Sequence, residues 1–353
     1  MKLEQNNFHK NFQLNGISFA SVDELLVFAH QFSNEIYQFL VDWFSKDDFI
    51  VVQTSGSTGK PKSISLKKEL MINSALVTGQ FFDLHENTKA LLCLPVSYIA
   101  GKMMLVRAMT LGWSIDVIAP NSAPLERVER EYDFSAMVPL QVENSINKLQ
   151  KIKKLIIGGG VVSEELKVKL QCLSTLAFAT YGMTETITHI AVKKLNNRKG
   201  NPSFYQILPG VKIFKDERNC LVIEALNVAN DCVVTNDVIQ LISDTQFDWL
   251  GRFDNVINSG GIKLYPEKIE VKLSEIIGKR FFVAGIPDKK LGQKLILIIE
   301  GKKHNNFLNN IKKNKTLTKF EQPKEVYFID KFIETKTKKI QRKKTLDLIG
   351  FTN

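Results

Sequence analysis

Phe49-Ile50-Val51-Val52-Gln53-Thr54-Ser55-Gly56-Ser57-Thr58-Gly59-Lys60-Pro61-Lys62 passes from a β-branched run straight into hydroxyls, glycines and lysines. Up to Thr54 it reads as a buried strand feeding a loop. From Thr54 to Lys62 the loop suits polyphosphate: glycines let backbone N–H groups approach phosphate oxygens, Ser and Thr hydroxyls donate in addition, and lysines supply point charges. It is not the G-x-x-x-x-G-K-[ST] phosphate loop. Gly56 and Gly59 stand too close together, and Pro61 occupies the place of the magnesium-binding hydroxyl.

Outward from this loop, helical and strand-like stretches alternate. Residues 18–45 carry apolar residues at helical spacing in two stretches, Leu25 to Phe32 and Ile36 to Phe44. After the loop come a helix over 66–82, an apolar run Ala90–Leu94, a helix over 101–111, a strand Ile115–Ile118, a helix near 140–149 and a strand Leu155–Ile157 that enters a triple glycine. Such alternation predicts an α/β layered domain. Between about 205 and 250 the pieces shorten and become β-rich (Val211–Phe214, Leu221–Glu224, Cys232–Val234, Val238–Leu241), which predicts an antiparallel or barrel-like portion. The pattern changes again at Gly251-Arg252-Phe253-Asp254. The expected organisation is a large domain of residues 1–253 and a small α+β domain of residues 254–353, with strands near 280–285, 294–300 and 324–328.

The chain has 353 residues, 44% of them apolar and 24% charged, with a net charge of +11. This is the composition of a globular protein large enough for two cores, and it excludes a disulfide-stapled miniprotein. The four cysteines, Cys93, Cys172, Cys220 and Cys232, show no C-x-x-C spacing and lie in or beside apolar runs, so buried free thiols in a reducing compartment are expected. No apolar stretch approaches the ~20 residues of a membrane span. The polar start Met1-Lys2-Leu3-Glu4 lacks a secretory core, which predicts a cytoplasmic location. Residues 301–353 hold fourteen Lys and Arg against five Asp and Glu. Without interleaved aromatics or a groove-reading motif, that excess argues against nucleic acid and for a solvated surface or a polyanionic small substrate. No repeat is visible, and no feature sets an oligomeric state.

Three further clusters carry chemistry. In Tyr181-Gly182-Met183-Thr184-Glu185-Thr186 a hydroxyl and a carboxylate stand side by side, able to take a phosphate oxygen and Mg²⁺ respectively; the same pair is also an ordinary helix start. Asp237, in Thr235-Asn236-Asp237, and Arg252 could clamp a ribose, because a carboxylate accepts from vicinal hydroxyls and Arg donates as a fork. Gly260 and Gly261 make a loop that another molecule can approach closely. The last cluster is Glu334-Thr335-Lys336-Thr337-Lys338-Lys339-Ile340-Gln341-Arg342.

In order and type these clusters resemble the adenylate-forming superfamily of acyl-CoA synthetases, luciferases and peptide-synthetase adenylation domains. The loop pattern [ST]-[ST]-G-[ST]-[ST]-G-x-P-K is met by Thr54 through Lys62, Y-G-x-T-E by Tyr181 through Glu185, and G-R-x-D…SGG…P-x-[EK]-[IK]-E by residues 251–270. With the loop only about fifty residues in, the resemblance implies a shortened N-terminal subdomain, and the compact chain resembles the o-succinylbenzoate-CoA ligase subgroup of menaquinone biosynthesis. Leu94 through Arg107 and the Gly158-Gly159-Gly160 triplet fit that subgroup. Three positions stand out: Tyr98 stands where a histidine or aromatic is common, Asn236 replaces the glycine of T-G-D, and the tail keeps neither the proline nor the glycine of P-x-T-x-x-G-K.

The resemblance implies an ATP-dependent acid–thiol ligase that forms an acyl-adenylate and then an acyl-CoA. It implies that Thr54, Ser55, Gly56, Ser57, Thr58, Gly59, Lys60 and Lys62 hold the outer phosphates, Thr184 the α-phosphate and Glu185 the Mg²⁺. Gly158, Gly159, Tyr181 and Gly182 would line the adenine slot, with Asp237 and Arg252 at the ribose. Lys339, or Lys338 in the other register, would be the catalytic lysine. Tyr98, Lys102 and Arg107 would face the acid, either cation pairing its spare carboxylate unless Arg107 is an ordinary helix-face charge, and His189 either touches substrate or caps a strand. Asp254 would be the hinge of a mobile C-terminal domain that presents Gly260 and Gly261 to coenzyme A. The alternatives are another aryl- or acyl-CoA ligase, an enzyme that adenylates for a carrier protein, and a nucleotide- or nucleic-acid-binding protein without catalysis.

Overall fold

The computed structural model describes residues 8–53, 62–197, 203–229, 231–302, 311, 316–335 and 340–351. A short hairpin, β1 (Gln13–Leu14) and β2 (Ile17–Ser18), precedes helices α1 (Val22–Phe32) and α2 (Asn34–Phe44). Two serines set these helices: Ser21 Oγ accepts from Glu24 N–H, and Ser33, where α1 stops, accepts from Ile36 N–H to start α2. The apolar stripe of α2 buries Ile36, Phe39, Leu40 and Trp43, as its spacing predicts.

The deciding run forms β3 (Phe49–Gln53), but not as a fully buried strand. It pairs antiparallel with β4 (Ser63–Lys67) in a separate two-stranded sheet. Alternation directs Ile50 and Val52 inward and leaves Phe49 and Val51 exposed. β4 itself was not expected, because Ser63-Ile64-Ser65-Leu66 is short and half polar. The helix expected over 66–82 therefore begins later, as α3 (Lys68–Phe82).

Next come β5 (Lys89–Leu92), α4 (Ile99–Leu111), β6 (Ser114–Val117), β7 (Tyr132–Met137), α5 (Pro139–Asn144), β8 (Ile152–Ile157), α6 (Glu164–Gln171) and β9 (Leu176–Gly182). β7 and α6 were not expected, and the helix expected near 140–149 divides into α5 and a 3-10 turn over Ile146–Lys151. The antiparallel strands are β10 (His189–Lys194), β11 (Tyr205–Ile207), β12 (Lys212–Lys215), β13 (Cys220–Glu224), β14 (Val233–Ser243) and β15 (Gln246–Arg252). β14 runs unbroken through Thr235-Asn236-Asp237 and joins the two strands expected at Cys232–Val234 and Val238–Leu241.

Among the described residues these strands form one thirteen-stranded sheet, ordered β12-β13-β14-β15-β11-β10-β9-β8-β7-β5-β6-β1-β2. From β9 through β1 the pairing is parallel, and from β9 through β12 it is antiparallel, so the β-rich portion extends the same sheet and is not a barrel. Both faces of the parallel part are covered. Ala90, Leu92 and Ile156 join one core with α3 and α4, while Leu91, Leu155 and Ile157 join another with α5 and α6.

The second sheet contains β16 (Ile257–Ser259), β17 (Ile262–Leu264), β18 (Phe281–Asp288), β19 (Gly292–Glu300) and β20 (Glu325–Ile329), with α7 (Pro266–Ser274) and a terminal helix, Arg342–Leu348. It too has a core on each face, with Leu295, Leu297 and Ile299 on one side of β19 and Ile296 and Ile298 on the other. α7 lies against β15, where Lys268 Nζ donates to Asp248 Oδ2 at 2.6 Å. All four cysteines are free; Cys93 and Cys220 are buried as expected, whereas Cys172 and Cys232 are exposed. Cys172 stands at the C-cap of α6, where the apolar pattern has already ended. Among the described residues no helix is long and apolar enough to cross a membrane.

Candidate active site

Parallel strands place their following loops at one end of a sheet, and ligands of such sheets bind outside the carboxyl ends of the strands. Here β5, β7, β8 and β9 are neighbours, and the segments after them are Leu94–Tyr98, Val138–Pro139, Gly158–Gly160 and Met183–Thr186. The topology thus gathers the acid segment, the triple glycine and the Thr-Glu cluster at one edge. β4 lies beside the Thr184–Thr186 turn at the same edge. Thr54, Ser55, Gly56, Ser57, Thr58, Gly59 and Lys60 fall outside the described residues, as do Lys338 and Lys339; Lys62 is described and exposed.

Tyr181 and Gly182 end β9 and do not follow it. Gly182 is required by a close approach, since a Cβ there would stand 2.0 Å from the Thr188 carbonyl oxygen. Thr184–Thr186 is a single 3-10 turn, and Thr186 Oγ1 accepts from Met183 N–H at 3.2 Å to close it. Among the described residues the exposed Glu185 carboxylate takes no hydrogen bond or ion pair, and no cluster of three metal-ligating side chains is present. One carboxylate beside an open edge fits Mg²⁺, which keeps waters and phosphate oxygens as its other ligands.

Asp237 is nearly enclosed, and three side chains converge on it. The Tyr181 hydroxyl donates to Oδ2 at 2.6 Å, Trp249 Nε1 donates to Oδ1 at 3.0 Å, and Arg252, its cross-strand partner, stands 3.6 Å from Oδ1. Burial and the Asp237 charge push the Tyr181 phenol far above its usual range, so it stays a donor. Tyr181 packs edge-on against Phe247 and Tyr205, which stack on each other at 5.3 Å. Asp254 lies in the 3-10 turn after β15, within 3.6 Å of Arg252 and bonded by Asn236. The geometry therefore brings Tyr181, Asp237 and Arg252 together. It adds Trp249, which local sequence does not flag because it arrives by cross-strand register, and Arg218, which braces Asn236 at 2.8 Å.

The acid segment holds a larger difference. Arg107 does not lie on an ordinary helix face; it is 2% exposed within α4. Its guanidinium donates to Thr78 Oγ1 at 3.4 Å, to Thr188 Oγ1 at 3.3 Å and to Met104 Sδ at 3.8 Å. Among the described residues no carboxylate pairs with it, and burial pushes its pKa down to about 10. His189 lies alongside, buried, with Nε2 unpartnered among the described residues. Burial and then Arg107 push the ring down to about 3, so it is neutral. Lys102 is committed elsewhere: its Nζ sits 4.7 Å from the Phe39 ring centroid, and burial lowers its pKa against the pull of Asp42 and Glu35 on α2. Tyr98 is the N-cap of α4 and half exposed.

Gly260 and Gly261 form the two-residue turn of the β16–β17 hairpin, with φ of 59° and 81°. Such a left-handed pair favours glycine and leaves the tip bare; nothing approaches within 4 Å of a Cβ at Gly261.

These features define an α/β enzyme fold that gathers nucleotide-type motifs at one sheet edge. Residues 13–223 match the AMP-binding enzyme family, and the chain belongs to it. A 2-succinylbenzoate–CoA ligase of Lactococcus lactis is 25% identical over 317 residues, 83% of this chain and 70% of the relative. An AMP-forming acyl-CoA synthetase/AMP-acid ligase II-like protein from Dyadobacter fermentans is 37% identical, covers 90% of this chain and 94% of its own, and superposes with a TM-score of 0.60. The o-succinylbenzoate coenzyme A synthetase of Bacillus subtilis, solved in complex with ATP and magnesium ion, superposes with a TM-score of 0.72 at 19% identity over 92% of this chain and 82% of that one.

Proposed function

We propose that this AMP-binding enzyme is an acid–thiol ligase that activates o-succinylbenzoate with ATP and passes the acyl group to coenzyme A. The observation that carries the choice of acid is Arg107. A guanidinium enclosed beside the acid segment with no carboxylate partner among the described residues is costly unless a ligand brings one, and an acid with a second carboxylate does so. Lys102, occupied by Phe39 and α2, is the weaker candidate.

In the first half-reaction a carboxylate oxygen of the acid attacks the α-phosphorus of ATP, and the bond to pyrophosphate breaks, leaving the acyl-adenylate. The protein contributes positioning and charge neutralisation. We assign the outer phosphates to Thr54–Lys62, the α-phosphate to Thr184, the adenine to Gly158, Gly159, Tyr181 and Gly182, and the ribose to Asp237 with Arg252. Glu185 would hold Mg²⁺, which neutralises phosphate charge when bound. Lys339 would bridge the carboxylate and the α-phosphate, a contact whose loss costs about 3–4 kcal/mol by analogy with one oxyanion donor.

In the second half-reaction the coenzyme A thiolate attacks the acyl carbon, a C–S bond forms and AMP leaves. We propose that residues 254–353 then turn about Asp254 and bring the bare Gly260-Gly261 tip to the pantetheine arm. The self-contained cores of the second sheet support this reading. ATP and coenzyme A as substrates, together with four free cysteines, favour a cytoplasmic setting.

The test is ATP–pyrophosphate exchange with o-succinylbenzoate and, separately, benzoate. Exchange driven by o-succinylbenzoate and lost in Lys339→Ala supports the assignment. Exchange with benzoate alone removes the choice of acid, and a silent Lys338→Ala beside an active Lys339→Ala moves the catalytic lysine.

A further inference from the structure

Between the Thr184–Thr186 turn and β10 the backbone makes an uncommon bend. Ile187, β-branched and fully buried, has φ 65° and ψ −65°, a tight three-residue turn that such residues rarely adopt. Its closing bond runs from Thr188 N–H to the Thr186 carbonyl at 2.7 Å, and Thr186 Oγ1 donates onward to the Thr188 carbonyl at 2.8 Å. A strained bend persists only where its surroundings over-determine it. Here the surroundings are the core around Ile187, the Thr186 hydroxyl and the side chain of the next residue. Thr188 Oγ1 accepts from Arg107 at 3.3 Å and lies 3.1 Å from Ser74 Oγ on α3. Thr78, one turn further along α3, spends its own hydrogen on the Ser74 carbonyl at 2.8 Å, leaving its oxygen to accept from Arg107 Nε.

We infer that Thr188 is a positioning residue which couples the two substrate sites: it fixes Arg107 on the acid side and, through the bend at Ile187, fixes Thr184 and Glu185 on the nucleotide side. The inference rests on the acid-binding role proposed for Arg107. An acid that seats its spare carboxylate on the guanidinium immobilises it, and the shared Thr188 hydroxyl then holds the bend. Nucleotide meets a turn already ordered, so each ligand tightens the other by the same factor. Met104 Sδ, a weak acceptor at 3.8 Å, is the contact the carboxylate would replace; the Thr188 bond is kept.

The test measures binding of a non-hydrolysable α,β-methylene ATP analogue to the full chain, with and without saturating o-succinylbenzoate. In the unmodified protein the acid tightens analogue binding about fivefold or more. Thr188→Val, which keeps the shape and loses the hydroxyl, brings that factor close to one, and Thr188→Ser, which restores the hydroxyl, recovers it. Thermal melts of both variants report folding, and Thr188→Ser keeps the test open should Thr188→Val fail to fold. An unchanged coupling factor in Thr188→Val, or no recovery in Thr188→Ser, overturns the inference and leaves the choice of acid standing. In the unmodified protein, acid that binds by calorimetry yet leaves analogue binding unchanged overturns the inference and leaves the choice of acid standing, whereas acid that does not bind at all overturns the choice of acid and the inference with it.

Discussion

The Tyr181 hydroxyl donates to Asp237 Oδ2 at 2.6 Å, and this bond joins the parallel half of the main sheet to its antiparallel half. With Trp249 on the other oxygen, the carboxylate is held in one orientation before any ligand arrives. Asp237→Asn is expected to raise the KM for ATP about tenfold or more, since a hydrogen bond to a charged group is worth about 1.5–3 kcal/mol, with a smaller change in kcat. Pyrophosphate release measured against ATP concentration checks this. An unaltered KM would remove Asp237 from the ribose.

Arg107→Met separates stability from activity. Replacing an enclosed charge by an apolar chain of similar volume is expected to raise stability by about 1–4 kcal/mol. Turnover of o-succinylbenzoate should nevertheless fall about a hundredfold or more, because losing one member of a buried charge pair costs about 2–5 kcal/mol. Denaturant melts and initial rates on one preparation decide it; a variant less stable yet still active contradicts both halves.

His189 gives a pH signature. Its pKa is lowered from 6.5 to about 3 by burial and by Arg107. The unfolded chain therefore takes up a proton that the native chain refuses between those values. The stability contribution is whole above pH 6.5 and is lost, at roughly 1.4 kcal/mol per pH unit, as the pH falls from there toward 3. Between pH 7 and pH 5 the protein should lose about 2 kcal/mol more than His189→Gln. Equal losses in paired denaturant titrations would show that the ring protonates freely in the fold.

Asp254→Pro fixes φ near −65° at the proposed hinge. Acid-dependent ATP–pyrophosphate exchange should stay within about twofold, while coenzyme A-dependent AMP release falls about tenfold or more. If both rates fall together, Asp254 serves the adenylation state and not a turn between states.

How much was legible in the chain depended on whether a feature is local. Thr184, Glu185, Asp237 and Arg252 stand in dense local patterns, and the topology gathers them. β7 is hard to read from sequence because its central Ser135 breaks the apolar run, yet that serine is fully buried and its hydroxyl donates to the Leu91 carbonyl at 2.8 Å. Trp249, Ser74 and Thr188 reach the site through strand register and helix packing, which no single window of sequence contains. The enclosure of Arg107 followed the same rule: α4 reads as any apolar helix until α3 and Thr188 close over it.

The strand order has a consequence for biosynthesis. β9 belongs to the first half of the sheet, but Asp237, which accepts from its Tyr181, and that carboxylate's partners Trp249 and Arg252 lie on β14 and β15. A chain still on the ribosome, with Arg252 inside the exit tunnel, can stack its parallel strands and bury most of their cores. Were Asp237 and Arg252 to hold the ribose as proposed, newly made molecules would lack that grip until nearly the whole large sheet had emerged.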